Sequence, residues 1–347
     1  LGKSYPKGGR EEMLSLPMSL LLSLTMILVG AKGFANGVEW LGRKLNLRQG
    51  AVGSILAAVG TALPETLVPL VAILTRANSS QGSDIGIGAI LGAPFMLSTL
   101  GFLVTGLAVW MHRGRRSDFP QLRVETQVIA RDLGFFLVCY SLALAASFSP
   151  GSLAKKGAAL ILVVIYFVYT YLCLTRGQTL GEAGICPPCL YFNPERAEPR
   201  TSLIIFQVLF FLGLILVGAR LFVLGLSRLA EMLGVPPSIL ALIIAPIATE
   251  LPEKCSSVIW VYQRKDTLAL GNMTGAMVFQ GSLIPALGMA LTDWRLSPAG
   301  LFSALLALLM ASLVLGQIRK KGYLTVYPLL AGGIFYLLFI LTTLRAI

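Results

Sequence analysis

Charge and titratable chemistry are scarce in this chain. Of 347 residues only 13% are charged, one is histidine (His112), and five are cysteine. One imidazole supports no histidine-rich metal centre, and a lone Cys-x-x-Cys needs a second pair of ligands to hold zinc. The single C-P-P-C, Cys186 to Cys189, is therefore read as a loop turn set by Pro187 and Pro188. A redox or disulfide role is the competing reading. Cys139, Cys173 and Cys255 fall in or near apolar runs, where they act as small apolar residues.

Apolar residues are what the chain has in abundance: 56% are hydrophobic and the mean hydropathy is +0.79. A soluble protein of this length cannot keep so much apolar surface from water. The net charge of +12 raises a nucleic-acid reading, but the basic residues sit between apolar segments, where they act as orientation signals. The expected partner at this point is a lipid bilayer, with no nucleic acid and no cofactor.

Runs of about 20 apolar residues, each able to cross the hydrocarbon core, recur along the whole chain. Ten spans are expected: Met13–Leu41, Ala51–Arg76, Ile85–Met111, Glu125–Phe148 and Leu153–Thr175, then Ser202–Leu233, Pro237–Tyr262, Leu268–Thr292, Pro298–Gly316 and Tyr323–Leu344. The first is too long and too patterned for a cleaved signal peptide. With both termini on the outer side, the inner connections hold 16 basic residues against 9 outside. The positive-inside bias favours that orientation. Clusters such as "HRGRR" at His112–Arg116 read as inner-face anchors.

Internal repetition sets the architecture. Laid without a gap over Leu216–Glu253, the segment Leu28–Glu65 is identical at 14 of 38 positions. Gly30 meets Gly218, Gly37 meets Gly225, and "TALPE" at Thr61–Glu65 meets "TELPE" at Thr249–Glu253. A second match sets "GAILGAPFMLSTLG", from Gly88, against "GNMTGAMVFQGSLIPALG", from Gly271. The halves are offset by five spans, an odd number, so the second must enter the membrane from the opposite face. The expected fold is an all-α integral membrane protein of ten transmembrane helices in two inverted five-helix repeats, 13–175 and 201–345, joined by an inner-side loop at 176–200. Inverted repeats are a common plan of secondary transporters, with the substrate held near the bilayer midplane.

The Thr-x-x-Pro-Glu stretches place carboxylates deep in apolar spans. Such a group costs at least about 2.5–3.5 kcal/mol to insert, so Glu65 and Glu253 need a partner or a task. Pro64 and Pro252 lack an N–H and so free the carbonyls of Gly60 and Ala248, while Pro69 and Pro246 free those of Glu65 and Leu242. Backbone loosened at this depth is tolerated where it lines a cavity or packs in protein. Carboxylate, hydroxyl and carbonyl oxygens together suit hard cations. The plainer readings are a structural kink for the prolines and an i,i+4 ion pair for Glu250 with Lys254.

At these residues the chain resembles the calcium/cation antiporter superfamily, of the sodium/calcium exchanger type. That family carries G-T-S-x-P-E in each half, followed on the next helix by G-N-x-x-G-S-N. The resemblance covers nearly the whole chain and places its two motifs at 58–101 and 246–288. It implies a cation antiporter with ligands from spans 2, 3, 7 and 8, and with spans 1 and 6 sliding against that core. Carried over residue by residue, the metal-binding set is Thr61, Glu65, Thr249, Glu253 and Asn272, with Glu250 in the family's serine position and Gln280 where an acid or amide is usual. Ala62, Ala89, Ala93, Pro94, Leu97 and Ala276 stand where polar ligands are expected, which puts sodium coupling in doubt. The expected activity is secondary active exchange of Ca2+ or a similar cation against Na+ or H+ by alternating access, not an enzyme reaction. The rivals are a non-transporting exchanger-like sensor or structural protein, and a thiol oxidoreductase built on Cys186 and Cys189.

Overall fold

A computed structural model describes residues 9–44, 65–75, 80–176, 189–193 and 199–345. Secondary structure among them is helical: α1 Gly9–Lys44, α2 Glu65–Thr75, α3 Ser80–Met96, α4 Phe102–Met111, α5 Thr126–Ser147, α6 Ser152–Arg176, α7 Thr201–Leu233, α8 Pro237–Tyr262, α9 Asp266–Leu291, α10 Pro298–Lys321 and α11 Val326–Arg345. A π-helical turn, Leu97–Gly101, joins α3 to α4, so the third span runs as one rod from residue 81 to 111. Eight described spans are long and apolar enough to cross a membrane. Shorter apolar helices, Glu65–Thr75 and Pro237–Ile247, lie within the second and seventh expected spans. The ninth span continues past Gly316 to Lys321, because Arg319, Lys320 and Lys321 favour the negative helix C-terminus and Gly322 caps it at φ 73°.

The chain divides into two compact units, 1–85 with 181–240, and 86–180 with 241–347. In the first, α1 and α7 cross antiparallel through small residues. A Cβ added at Gly30 would stand 2.7 Å from Ile215, and one at Gly218 would stand 3.1 Å from Ile27. Likewise Gly37 abuts Val208 and Gly225 abuts Leu20, both at 2.7–2.8 Å. In the repeat register, Ile27 matches Ile215 and Leu20 matches Val208, so each contact returns with the halves exchanged. Small residues let the backbones approach closely, which is how helices associate in lipid. Phe34, Val38, Leu67, Phe211 and Ile215 form the core of this unit. Gln207 adds a polar tie, donating from α7 to the Gly33 carbonyl at 3.0 Å and to Asn36 Oδ1 at 2.9 Å.

In the second unit α9 is packed against α5 and α6. The connections 112–125, 263–265 and 322–325 meet on one face. Arg116 donates twice to Asp266 at 2.7 Å and once to the Val261 carbonyl, and the Arg123 amide reaches Asp266 at 3.0 Å. The Leu122 amide donates to Leu324 O and the Val326 amide to Pro120 O. At the other end of α5 and α9, Lys155 Nζ donates to Asp293 O and the fully buried Trp294 donates to Ala143 O at 2.9 Å. The basic connections of this unit therefore share a face. Arg116, however, is a buried ion-pair partner rather than a surface anchor.

Candidate functional site

α8 begins with Pro237 at its first turn, where a missing N–H costs nothing. It continues as a helix through Pro246 and Pro252. The Leu242 carbonyl, deprived of its usual donor by Pro246, faces α3 at Gly92. A Cβ at Gly92 would lie 2.2 Å from that oxygen and 2.7 Å from Pro246 Cγ. Only glycine permits this approach, and it answers where the freed carbonyl goes: into protein, not lipid.

One turn further along α8 lie Thr249 and Glu250, both buried. Thr249 donates its hydroxyl proton to Ala245 O at 3.1 Å, leaving oxygen lone pairs available. Glu250 is 1% exposed and accepts a hydrogen bond from Gln280 Nε2 on α9. Gln280 is likewise buried, and its Oε1 has no hydrogen-bond donor among the described residues. Gly281 beside it lets the Phe136 ring approach, which holds this stretch of α9 against α5. The arrangement offers a carboxylate and a neutral amide oxygen, shielded from water, on two adjoining helices.

The other expected ligands are placed unevenly. Glu65 opens α2 and is buried. Thr61 and the side chain of Glu253 lie outside the described residues, as do Cys186 and the side chain of Lys254. Asn272 is exposed and stands eight residues before Gln280, about 12 Å along the α9 axis, so the two do not meet. Ala89, Ala93 and Leu97, where polar ligands were expected, are buried in apolar packing. Cys189 is exposed beside the Leu190–Asn193 bridge.

A second buried carboxylate, Asp132 on α5, escapes the sequence reading. Thr274 on α9 donates to its Oδ2 at 2.9 Å and Tyr169 on α6 to its Oδ1 at 3.1 Å. Arg131 adds two N–H donors at 3.1 and 3.2 Å, and its guanidinium lies 5.7 Å from the Tyr169 ring centroid. All four contacts donate to the carboxylate, which suits its ionised form. The cluster ties α5, α6 and α9 together at Thr274, six residues before Gln280. The signal was present in "VIARDLGFF", an acid inside an apolar run. The adjacent Arg131 masks it, because a basic residue near a span end reads as an inner-side charge.

A family model described as "Sodium/calcium exchanger protein" matches residues 15–175 and 203–347. The putative antiporter CaxA of Alkalimonas amylolytica is 27% identical over 89% of this chain and 93% of its own length. The sodium/calcium exchanger MaX1 of Methanosarcina acetivorans is 23% identical over 88% and 91%. Among solved structures, the H+/Ca2+ exchanger CAX superposes with a TM-score of 0.70 at 17% identity, covering 97% of this chain and 89% of that one.

Proposed function

Because the chain belongs to the sodium/calcium exchanger family, a family of transporters, we propose that it moves Ca2+ or a chemically similar divalent cation against protons by alternating access. The observation that carries this reading is the bond between Glu250 and Gln280. A carboxylate occupies the position where the exchanger pattern has serine, so the second repeat contributes two acids, Glu250 and Glu253, to the one in the first, Glu65. A carboxylate in a water-poor interior must be neutralised by a base, a proton or a metal. One divalent cation neutralises two carboxylates, and so do two protons. The exchange then leaves the charge of the site unchanged at each half-cycle.

In this scheme Glu65 and Glu253 bind the cation while all three acids are ionised. When the cation leaves, two protons return, one to Glu250 and one to Glu65 or Glu253, and Gln280 orients Glu250. Thr249 supplies a hydroxyl oxygen. Sodium as counter-ion is the second reading, favoured by the neutral oxygens of Thr249 and Gln280.

The test is ⁴⁵Ca uptake into proteoliposomes under an imposed pH gradient or an imposed Na+ gradient. The pH gradient is expected to drive uptake, Glu65→Gln and Glu253→Gln each to abolish it, and Glu250→Ser to uncouple it from pH. Uptake that responds only to Na+ favours the second reading. Failure to take up any cation favours a non-transporting sensor or scaffold.

A further inference from the structure

The basic face of the second unit holds five arginines in the loop 112–125 and the neighbouring turn, and they are not equivalent. Arg116 and Arg123 are each committed to an aspartate, the first to buried Asp266 and the second to Asp118. Arg113, Arg115 and Arg264 have no carboxylate partner among the described residues, although the Asp118 charge is felt at Arg264. Aromatic groups hold two of them in place instead. The Arg113 guanidinium lies 4.8 Å from the Trp110 ring centroid. That of Arg115 lies 5.3 Å from the Tyr262 ring and donates to its hydroxyl at 2.9 Å. Arg264 sits at φ 61°, a conformation rare for a side-chain-bearing residue, and its guanidinium donates back to the Arg115 carbonyl. Arg115 and Tyr262 line a cavity of about 360 Å³ together with Met111, His112 and Gly114; Arg264 is tied to its edge through the Arg115 carbonyl, and Arg113 stands between His112 and Gly114 in the chain.

The cavity stands at the ends of two membrane helices, α4 and α8, where Trp110 and Tyr262 mark the level of lipid headgroups. Beside it Met111 is 74% exposed and Trp110 45%, which offers an apolar surface to an acyl chain. Fixed guanidinium forks match phosphate oxygens. We propose that this is a binding site for the phosphate headgroup of an anionic phospholipid. The headgroup sits among Arg113, Arg115 and Arg264, and one acyl chain runs down past Met111. Orientation signalling alone requires positive charge on this face, not guanidiniums fixed by aromatic rings and a backbone carbonyl, one of them lining a hollow.

Purified protein is reconstituted in nanodiscs of mixed phosphatidylglycerol and phosphatidylcholine, and retained lipid is read by native mass spectrometry. A charge-assisted hydrogen bond from a seated guanidinium to a phosphate oxygen contributes at least about fivefold in affinity for that lipid. This comes over and above the diffuse attraction that every basic side chain exerts on the whole leaflet. Arg113→Gln, which removes the guanidinium held on the Trp110 ring, is thus expected to weaken phosphatidylglycerol retention roughly fivefold, and R113Q/R115Q/R264Q roughly a hundredfold. The charge-matched R319Q/K320Q/K321Q, exposed at the end of α10 on the same face, is expected to retain the lipid as wild type does. Equal loss in both triple variants would mean diffuse attraction and overturn the site. So would displacement of the lipid by millimolar inorganic phosphate, which would mean a free-anion site, or equal retention of both lipids by the wild type.

Discussion

Gly92→Ala tests the crossing that positions the acidic helix. The added methyl would lie 2.2 Å from Leu242 O, 2.9 Å from Leu242 C and 2.7 Å from Pro246 Cγ. Ordinary contacts need more than 3 Å, so α3 and α8 must separate by roughly 1 Å. Overpacking of this kind costs about 1–3 kcal/mol, and the upper end applies because the obstacles are main chain and a proline ring. Alanine regains up to about 1 kcal/mol in helix propensity, leaving a net loss of about 1–2 kcal/mol. The same shift moves Glu250 relative to Gln280, so transport falls further than stability does. Thermal unfolding in detergent is measured beside ⁴⁵Ca uptake. Gly134→Ala and Gly157→Ala, with nothing within 4 Å of the added Cβ, serve as controls and are expected to be neutral or slightly stabilising. A Gly92→Ala protein as stable and active as those controls would refute the close crossing.

Three further outcomes follow from the aspartates of the second unit and their partners. Asp266→Asn leaves the Arg116 guanidinium, 6% exposed, without its counter-charge, and is expected to cost about 3–5 kcal/mol on unfolding in mixed micelles. Asp118→Asn is expected to change little in the same assay: the Arg123 guanidinium and the Ser117 hydroxyl hold its carboxyl below the usual range, but both partners of the ion pair face water. Thr274→Val removes the α9 contact to Asp132 and is expected to raise the Ca2+ half-saturation concentration severalfold, with Thr274→Ser restoring it. If Thr274 acts through Gln280, that effect disappears in a Gln280→Leu background; additive effects would refute the link.

Much of the fold was legible because membrane helices announce themselves by length and hydropathy, and the glycines at 30, 37, 218 and 225 by their fixed register. Those glycines prove to sit at a helix crossing. Side-chain facing was harder to read. α9 is apolar nearly all round, so its sequence alone does not say that Gln280 points at Glu250 while Asn272 points out. Arg116 and Arg131 were counted as inner-face charges, because a positive residue near a span end looks the same whether it meets water or an aspartate. The π turn at Leu97–Gly101, where Thr99 O abuts Gly332 of α11, left no readable mark either.

The α1–α7 crossing has a consequence for energy. Its Gly30–Ile215 and Gly37–Val208 contacts return on exchange of the halves as Gly218–Ile27 and Gly225–Leu20, while the Gln207–Asn36 bond does not, since Ser19 and Leu224 stand at the matching positions. Under the alternating access proposed above, two end states that exchange the roles of α1 and α7 would be alike at the glycine contacts and unlike at the polar tie, so that tie, with a bound ion or proton, would set their balance.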